Sequence, residues 1–578
     1  TAGRMGSAGN REGAIRLYAE WLRHNPKSPS AFAVHFNTGC LWQEAGRLEE
    51  ALASYTPCLR ANPQFVQTRL NLGNTLDRLG RREEAVAEWR KLLSGPVDPA
   101  LERIARNNLG LVLEQAGAWG EAIVMLSGSL ALDPQQDEVI YHWVRLRQRI
   151  CAWPIYQQVP GITVEQMVAR TSAVAMLSVT DDPALQLAAA RRNMAGISTA
   201  GLPELAATAR YGHARLRVGY LSSNFNLHAV SMLIAELLEL HDRQRVEVFA
   251  FSWSPQDGSP MLARIRAAVD HFVDITTVSD EQAAQLIRDA EIDVLVDLQG
   301  LTTGARPRIQ AQRPAPWQVA WLGHPGTAAV PGVDYLLADR YLVPQDQQDQ
   351  YAERLLYLPV CYQVNDRQRP RGAPATRAHY GLPPDAFVFG AFNNTNKFTP
   401  EVFAAWMQIL RGAPGSVLWL LTDNPQAHSH LLQHVAGAGM DPARVLFADR
   451  VPYLEYLARF ALADVFLDTF PFNGGVTTSD ALWLGLPVVT RAGRSFASRM
   501  SGSLLHAMGV PELVTESFED YAALAIDLAR DPARLQALRA TIAQNRATSA
   551  LFDTPRTCKD LEDLLLGLVA DTAAGGAP

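Results

Sequence analysis

No stretch of the sequence offers the roughly 18 apolar residues of a membrane span, and the N-terminus lacks the basic-then-apolar run of a signal peptide. Cysteine is scarce. Cys40, Cys58, Cys151, Cys361 and Cys558 are odd in number and keep no metal-ligand spacing, so neither a disulfide framework nor a zinc site is expected, and a reducing, cytoplasmic setting is. Basic excess is missing too: 52 Lys+Arg stand against 59 Asp+Glu, a formal net charge of −7, which argues against a nucleic-acid partner. The sequence holds no Asp-x-Asp pair to clamp a metal–diphosphate, no Walker-type phosphate loop and no Gly-x-Gly-x-x-Gly fingerprint. Metal-clamped transfer, ATPase, kinase and dehydrogenase chemistry are all weakened by those absences. What remains is ordinary globular composition, 48% hydrophobic and 19% charged over 578 residues, enough for about three or four domain-sized units. The chain opens on Thr1 rather than Met, from which an upstream segment is expected to be missing.

Internal repetition marks the first quarter. Gly9, Gly46, Gly80 and Gly117 are spaced by 37, 34 and 37 residues, and each precedes a small-plus-aliphatic pair: Ala14-Ile15, Ala51-Leu52, Ala85-Val86 and Ala122-Ile123. A second matched set, Gly39, Gly73 and Gly110, lies upstream of three of them, and Pro26, Pro63 and Pro134 follow Asn or Asp. A period of about 34 residues with small residues at helix contacts and proline after the second helix is the tetratricopeptide signature. The 37-residue spacings imply three-residue insertions, one around Gly95-Pro96. Such an array offers a concave docking surface for polypeptide and carries no chemistry of its own. It is assigned to residues 1–150, including a helix over Asp137–Arg149, with a helical connector over 151–205.

From Arg217 onward the pattern alternates between strands and helices, as in parallel α/β sheets. Strands are predicted at Val218–Ser223, Val246–Trp253, Ile292–Leu298, Gln318–Leu322, Tyr335–Leu337 and Leu355–Leu358, with helices such as Ser231–Leu240 and Glu281–Ala290. A Pro/Gly/Arg-rich stretch, Arg367 to Pro384, separates these from a second set: Phe387–Phe392, Ser416–Leu421, Val445–Phe447, Val465–Asp468 and Val488–Thr490. Its helices are predicted at Glu401–Ile409, Tyr453–Ala463, Ser495–Met508, Tyr521–Arg530 and Ala533–Asn545. The expectation is an all-α repeat superhelix followed by a two-lobed α/β body, with lobes at 206–375 and 376–578 and a ligand cleft at strand carboxyl ends.

Four segments place polar residues where a strand hands over to a helix. In SSNFNLHAVSM, His228 is by position equally a proton-transfer group or a helix-capping histidine. Residues 297–327 concentrate Gly300, Gly304, Gly323 and Gly326 around His324, too densely for turn-making alone. In GAFNNTNKFTP, Asn393, Asn394, Asn396 and Lys397 precede a helix N-terminus near Pro400, where the lysine could neutralise a leaving diphosphate. In LDTFPFNGGVTTSDALWLGLPVV, Gly474-Gly475 leads into a helix near Val476-Thr477 with free amides for phosphate oxygens, and Asp480 in its first turn could reach ribose hydroxyls. An N-capping motif is the alternative, and it is compatible with phosphate binding.

Repeats joined to these four segments resemble the protein O-linked N-acetylglucosamine transferases, glycosyltransferase family 41, in the compact form of the bacterial members. The resemblance implies a two-lobed GT-B fold, UDP-N-acetylglucosamine as donor, UDP as product and polypeptide Ser/Thr hydroxyls as acceptors docked on the repeats. It also implies inversion without a metal and no cofactor. By position, His228 matches a histidine proposed as base or acceptor-side contact, and Lys397 a lysine that stabilises departing UDP. Asn394 matches a polar diphosphate contact, Thr477 one of two phosphate-binding threonines, and Asp480 the ribose-binding acid. Gly474, His324 and Gly326 fall within the matched substrate-binding segments. The chain departs from the animal pattern at Val476 (Thr), Gly475 (His), Tyr453 and Tyr456 (Lys and His around uracil), and Asn224 (Asp). Those departures keep two rivals open: a weakly active or inactive UDP-binding scaffold that docks partners through its repeats, and a transferase for another nucleotide sugar.

Overall fold

Helix pairs build the first part of the chain. In the computed structural model, which describes residues 10–206, 210–372, 374–422 and 424–573, the polypeptide divides into two compact units between Arg170 and Thr171. In the first unit, helices Arg11–His24, Ala31–Glu44, Leu48–Ala61, Gln67–Arg78, Arg82–Leu93, Pro99–Gln115, Trp119–Leu132, Asp137–Arg149 and Val164–Arg170 follow one another. The repeated glycines explain the pairing. A β-carbon on Gly39 would lie 2.4 Å from the Tyr55 ring, one on Gly73 2.3 Å from Trp89, and one on Gly110 2.5 Å from Leu126. Each large side chain is buried against the partner helix at the only residue type that leaves it room. Between the helices of a pair, Gly46, Gly80 and Gly117 adopt φ of 76°, 78° and 78°, a left-handed turn that a β-carbon disfavours. Gly9, the first matched glycine, lies outside the described residues. After the insertion at Gly95-Pro96, Asp98 caps the next helix by accepting from the Ala100 amide at 2.9 Å.

The second unit contains two all-parallel sheets. The first has seven strands, β1 (Leu216–Ser222), β2 (Val246–Ser252), β3 (His271–Asp274), β4 (Val294–Asp297), β5 (Trp317–Ala320), β6 (Tyr335–Ala338) and β7 (Arg354–Tyr357), in the order β3-β2-β1-β4-β5-β6-β7. The second has six, β8 (Val388–Ala391), β9 (Val417–Leu421), β10 (Val445–Ala448), β11 (Val465–Leu467), β12 (Val488–Arg491) and β13 (Val514–Thr515), ordered β10-β9-β8-β11-β12-β13. Both are doubly wound. The near-continuous apolar runs of the central strands follow from burial on both faces. Repeat array, parallel sheets and their order together give the tetratricopeptide-plus-GT-B architecture.

Several features differ from the sequence expectation. Strands β3 and β13 have no counterpart in it: β3 is an edge strand with an exposed-to-intermediate pattern and β13 is two residues long. The helix predicted from Ser495 begins at Met500, because the Arg494 and Ser495 amides donate to the Asp181 carboxylate at 2.8 and 3.0 Å and hold that stretch in a turn. The final helix, Thr554–Ala573, was not predicted, and it returns to the first lobe, where Cys558, Leu561 and Leu565 join the core of β1, β2 and β4. Glu562 fixes it there, meeting His241 Nδ1 at 2.9 Å and Arg245 at 3.1 Å, while His241 Nε2 lies 2.8 Å from the Tyr220 hydroxyl.

Overpacking a close helix contact costs about 1–3 kcal/mol. Gly73→Ala is therefore expected to lower the hydrogen-exchange protection of Gln67–Leu93 by that amount, whereas Gly95→Ala, with nothing near its added carbon, is expected to leave it unchanged. Equal protection in both variants would remove the Gly73–Trp89 contact as the determinant of pairing.

Candidate functional site

In a doubly wound sheet, connections leave neighbouring central strands toward opposite sides and open a crevice at their carboxyl ends. The order of the first sheet puts that point between β1 and β4, and that of the second between β8 and β11. All four polar segments singled out in the sequence emerge there, two at each crevice or on the loop next to it.

At the first crevice, Gln299 Oε1 gathers the Ser223 amide (3.0 Å), the Ser223 hydroxyl (2.8 Å) and the Asn224 side-chain amide (3.1 Å). An aspartate at 224 could not donate this third bond, which accounts for the asparagine. Behind the loop, the buried Asp297 carboxylate accepts from the Gln299 and Gly300 amides at 2.8 and 2.9 Å; burial raises its pKa to about 6 despite them. His228 caps the helix Ala229–Leu240, its Nδ1 accepting from the Val230 amide at 3.2 Å. Desolvation pushes its pKa down, so the ring is neutral near pH 7 and carries its proton on Nε2, the nitrogen left for a ligand. His324 is buried on the loop after β5, packed where Gly300 lacks a side chain. Its Nδ1 has no partner among the described residues, and burial pushes its pKa down to about 4. Gly326 lies two residues on, with Leu177 as its nearest side chain.

The second crevice holds most of the predicted site. Lys397 Nζ donates to the Asn473 carbonyl at 2.7 Å and sits 3.6 Å from the centre of the Phe472 ring. Burial lowers its pKa to about 8, with Asp468 opposing the shift. Asp468 organises the glycine loop: its carboxylate accepts from the Gly474 amide at 2.8 Å, Thr490 at 2.8 Å and Asn393 at 3.2 Å, and burial raises its pKa. Helix Val476–Trp483 starts at Gly475 with no side-chain cap, leaving its first amides for an anion. A β-carbon on Gly475 would lie 2.9 Å from Met500 and 3.1 Å from Gln363, so a histidine does not fit here without movement. Val476 packs against the apolar cluster of the first lobe, a contact that a threonine hydroxyl would weaken. Asn394 accepts from Arg450 at 2.8 Å.

Asp480 is fully buried. Its Oδ1 accepts from Arg369 at 2.7 Å and from the Tyr453 hydroxyl at 3.3 Å, while Oδ2 has no partner among the described residues. Burial pushes its pKa up to about 6, against the pull of Arg369. Tyr453 and Tyr456 stack with ring centres 6.2 Å apart, and Tyr456 lies beside Thr477. Lys397, Asn394, Gly474, Gly475, Val476, Thr477, Asp480, Tyr453 and Tyr456 thus share the second crevice, whereas His228, His324 and Gly326 belong to first-lobe loops. Asp468, Asn473 and Arg369 were not assigned roles from sequence. Asp468 ends a predicted strand and was open to notice; Arg369 sits in a stretch that reads as linker.

A family model described as Glycosyl transferase family 41 matches residues 203–371 and 371–561. An Arabidopsis thaliana protein named as a probable UDP-N-acetylglucosamine--peptide N-acetylglucosaminyltransferase SEC is 38% identical over 359 residues, 61% of this chain and 37% of its own length. A Caenorhabditis elegans UDP-N-acetylglucosamine--peptide N-acetylglucosaminyltransferase is 30% identical over 464 residues, covering 61% of this chain and 40% of its own. The chain thus spans well under half the length of these curated relatives. Among solved structures, a Thermobaculum terrenum O-GlcNAc transferase point mutant superposes with a TM-score of 0.68 at 27% identity, over 94% of this chain and 98% of that one.

Asp468→Ala would leave three buried donors without their acceptor, and an unsatisfied buried group costs about 1–3 kcal/mol. The expected outcome is a lower urea midpoint for the second unit and faster amide exchange over 474–479, with the repeat unit unchanged. Unaltered exchange at 474–479 would mean the loop holds its shape without this carboxylate.

Proposed function

The chain belongs to glycosyltransferase family 41, and from that premise we propose that it transfers N-acetylglucosamine from UDP-N-acetylglucosamine to Ser or Thr hydroxyls of polypeptides, with inversion and without a metal or cofactor. One observation carries the reading. An uncapped helix start, a buried lysine and a carboxylate with one free oxygen converge on the β8/β11 crevice, a set suited to a nucleoside diphosphate. Helix amides and the Lys397 ammonium would take the phosphate oxygens, Asp480 Oδ2 the ribose hydroxyls, and the stacked Tyr453 and Tyr456 the base. These cationic and amide groups supply what a divalent ion supplies elsewhere, and the sequence lacks the Asp-x-Asp pair that would hold one.

In the proposed reaction the acceptor oxygen attacks the anomeric carbon from the face opposite UDP; the new C–O bond forms as the bond to the diphosphate breaks. Lys397 and the amides near Val476 stabilise the negative charge that grows on the departing oxygen. His228, capped through Nδ1, presents Nε2–H and so donates to a substrate oxygen; it could accept the hydroxyl proton only by giving up the Val230 bond. The capped geometry favours an acceptor-side contact, with water carrying the proton away. The repeats would hold extended polypeptide so that a hydroxyl reaches the cleft. A cytoplasmic setting belongs to the same proposal, supported by five scattered thiols; no described helix is long and apolar enough to cross a membrane.

The decisive assay incubates the purified chain with UDP-N-acetylglucosamine and polypeptide acceptors and reads one N-acetylhexosamine per modified Ser or Thr against UDP released. Binding of UDP without transfer would favour the scaffold, and transfer only from a different nucleotide sugar would replace the donor. Lys397→Ala is expected to cut turnover by about 10²–10³-fold with a much smaller change in donor affinity, since the charge it meets is largest as the bond breaks. With its pKa lowered to about 8, kcat/KM should decline as pH rises through that value and the free enzyme loses the ammonium. Retained turnover in folded Lys397→Ala, or a profile flat to pH 9.5, would take the lysine out of the mechanism. Bulky substitutions on the repeat helices should raise KM for long protein acceptors and leave UDP titrations unchanged; equal loss in both would make the repeats structural support.

A further inference from the structure

Arg369 lies between the last strand of the first lobe and the first strand of the second, yet its side chain is only 2% exposed. Its guanidinium is spent on fixed partners: Nη1 donates to Asp480 Oδ1 at 2.7 Å and Ser479 Oγ at 3.0 Å, Nη2 to Asn365 Oδ1 at 2.8 Å. It lies near the Trp483 and Phe552 rings, 5.9 and 6.0 Å from their centres. Asn365 is itself held, donating to the Leu551 carbonyl at 3.0 Å. The neighbouring Asp366 pairs with Arg264, and Arg367 donates to Glu236 at 2.8 Å from the helix that His228 caps. Among the described contacts, the Asp480 carboxylate receives nothing at Oδ2.

We infer that Arg369 is a positioning residue, which clamps Oδ1 of Asp480 so that Oδ2 faces the ribose hydroxyls of the nucleotide and so ties ribose recognition to the segment joining the lobes. The inference rests on the proposed reading of the β8/β11 crevice as a nucleotide site. A fork is required for it. One guanidinium reaches Asp480, Ser479 and Asn365 at once, and a lysine ammonium on that stem cannot span the same three acceptors. The charge also matters, because a buried carboxylate without a counter-ion takes up a proton and ceases to be an acceptor-only group. Burial already pushes the Asp480 pKa up to about 6 with the arginine in place.

The test compares affinities for UDP with those for its 2′-deoxy and 3′-deoxy forms by calorimetry, so that changes common to all three ligands cancel. Wild type is expected to prefer UDP over at least one deoxy form by about tenfold, the worth of a hydrogen bond to a charged group. Arg369→Gln should bring that ratio to near one, and Arg369→Lys should leave an intermediate ratio. A merely structural role would weaken all three ligands by the same factor and keep the ratio. If Arg369→Gln does not fold, Arg369→Lys together with Asn365→Ala decides: a full ratio in both overturns the inference. Asp480→Asn separates the two claims. A ratio that survives in Asp480→Asn overturns the ribose reading itself, whereas one lost in Asp480→Asn and kept in the Arg369 variants overturns only the clamp.

Discussion

Two reversals of strand order govern the arrangement of the second unit. At β1/β4 and again at β8/β11, parallel neighbours send their connections to opposite sides, and the space left at their carboxyl ends must be filled by loops rather than by regular structure. Loop backbone at such a place carries amides and carbonyls with no ladder partner. The chain meets the need in the same way twice, with one buried side chain collecting the loose donors. Gln299 does so at the first crevice and Asp468 at the second. At the second crevice the collecting side chain is itself a carboxylate, and beside it lies Lys397, whose ammonium Asp468 favours against burial.

Much of this organisation is legible in the sequence because it rests on local rules. The repeat register follows from Gly39, Gly73 and Gly110, each of which faces one large side chain sixteen residues on, and the central strands follow from β-branched and aromatic runs buried on both faces. The four polar segments are visible because glycine and asparagine interrupt those runs at strand ends. Lysine scarcity is a further signal: the chain has four, Lys27, Lys91, Lys397 and Lys559, and relies on arginine elsewhere. What escaped depends on partners far away in sequence. Arg369 in a Pro/Gly/Arg-rich stretch has the composition of a linker, and only the fold shows Asp480 and Asn365 around it. The helix Thr554–Ala573 is amphipathic, but nothing local says that its buried face belongs to β1 and β2 through Glu562 and His241.

The departures from the animal pattern show compensation more than decay. Gly475 stands where the side-chain tips of Met500 and Gln363 occupy the space a larger residue would take, and Val476 packs against the first-lobe core. Asn224 gives Gln299 a donor that aspartate lacks. Tyr453 both stacks on Tyr456 and bonds to Asp480, so the aromatic pair is built into the same network as the carboxylate. The substitutions describe a differently packed crevice with its polar equipment retained.

That equipment has to solve an electrostatic problem. A diphosphate would bring further negative charge into a lobe that already buries Asp468 and Asp480. Burial raises the pKa of both carboxylates and lowers that of Lys397 to about 8, so every charged state in the crevice is held at a penalty. Ligand binding changes these penalties unequally. The anion favours the ammonium of Lys397 and restores its proton affinity, while disfavouring the carboxylates close to it. Asp468 is buffered by the Gly474 amide, Thr490, Asn393 and the lysine itself. Asp480 accepts from few groups in its own lobe, and its cation comes from the segment between the lobes. A carboxylate that must stay ionised next to an incoming anion would therefore depend on a charge outside its own lobe, which is a physical reason for the two lobes to be joined through Arg369 rather than through an inert tether.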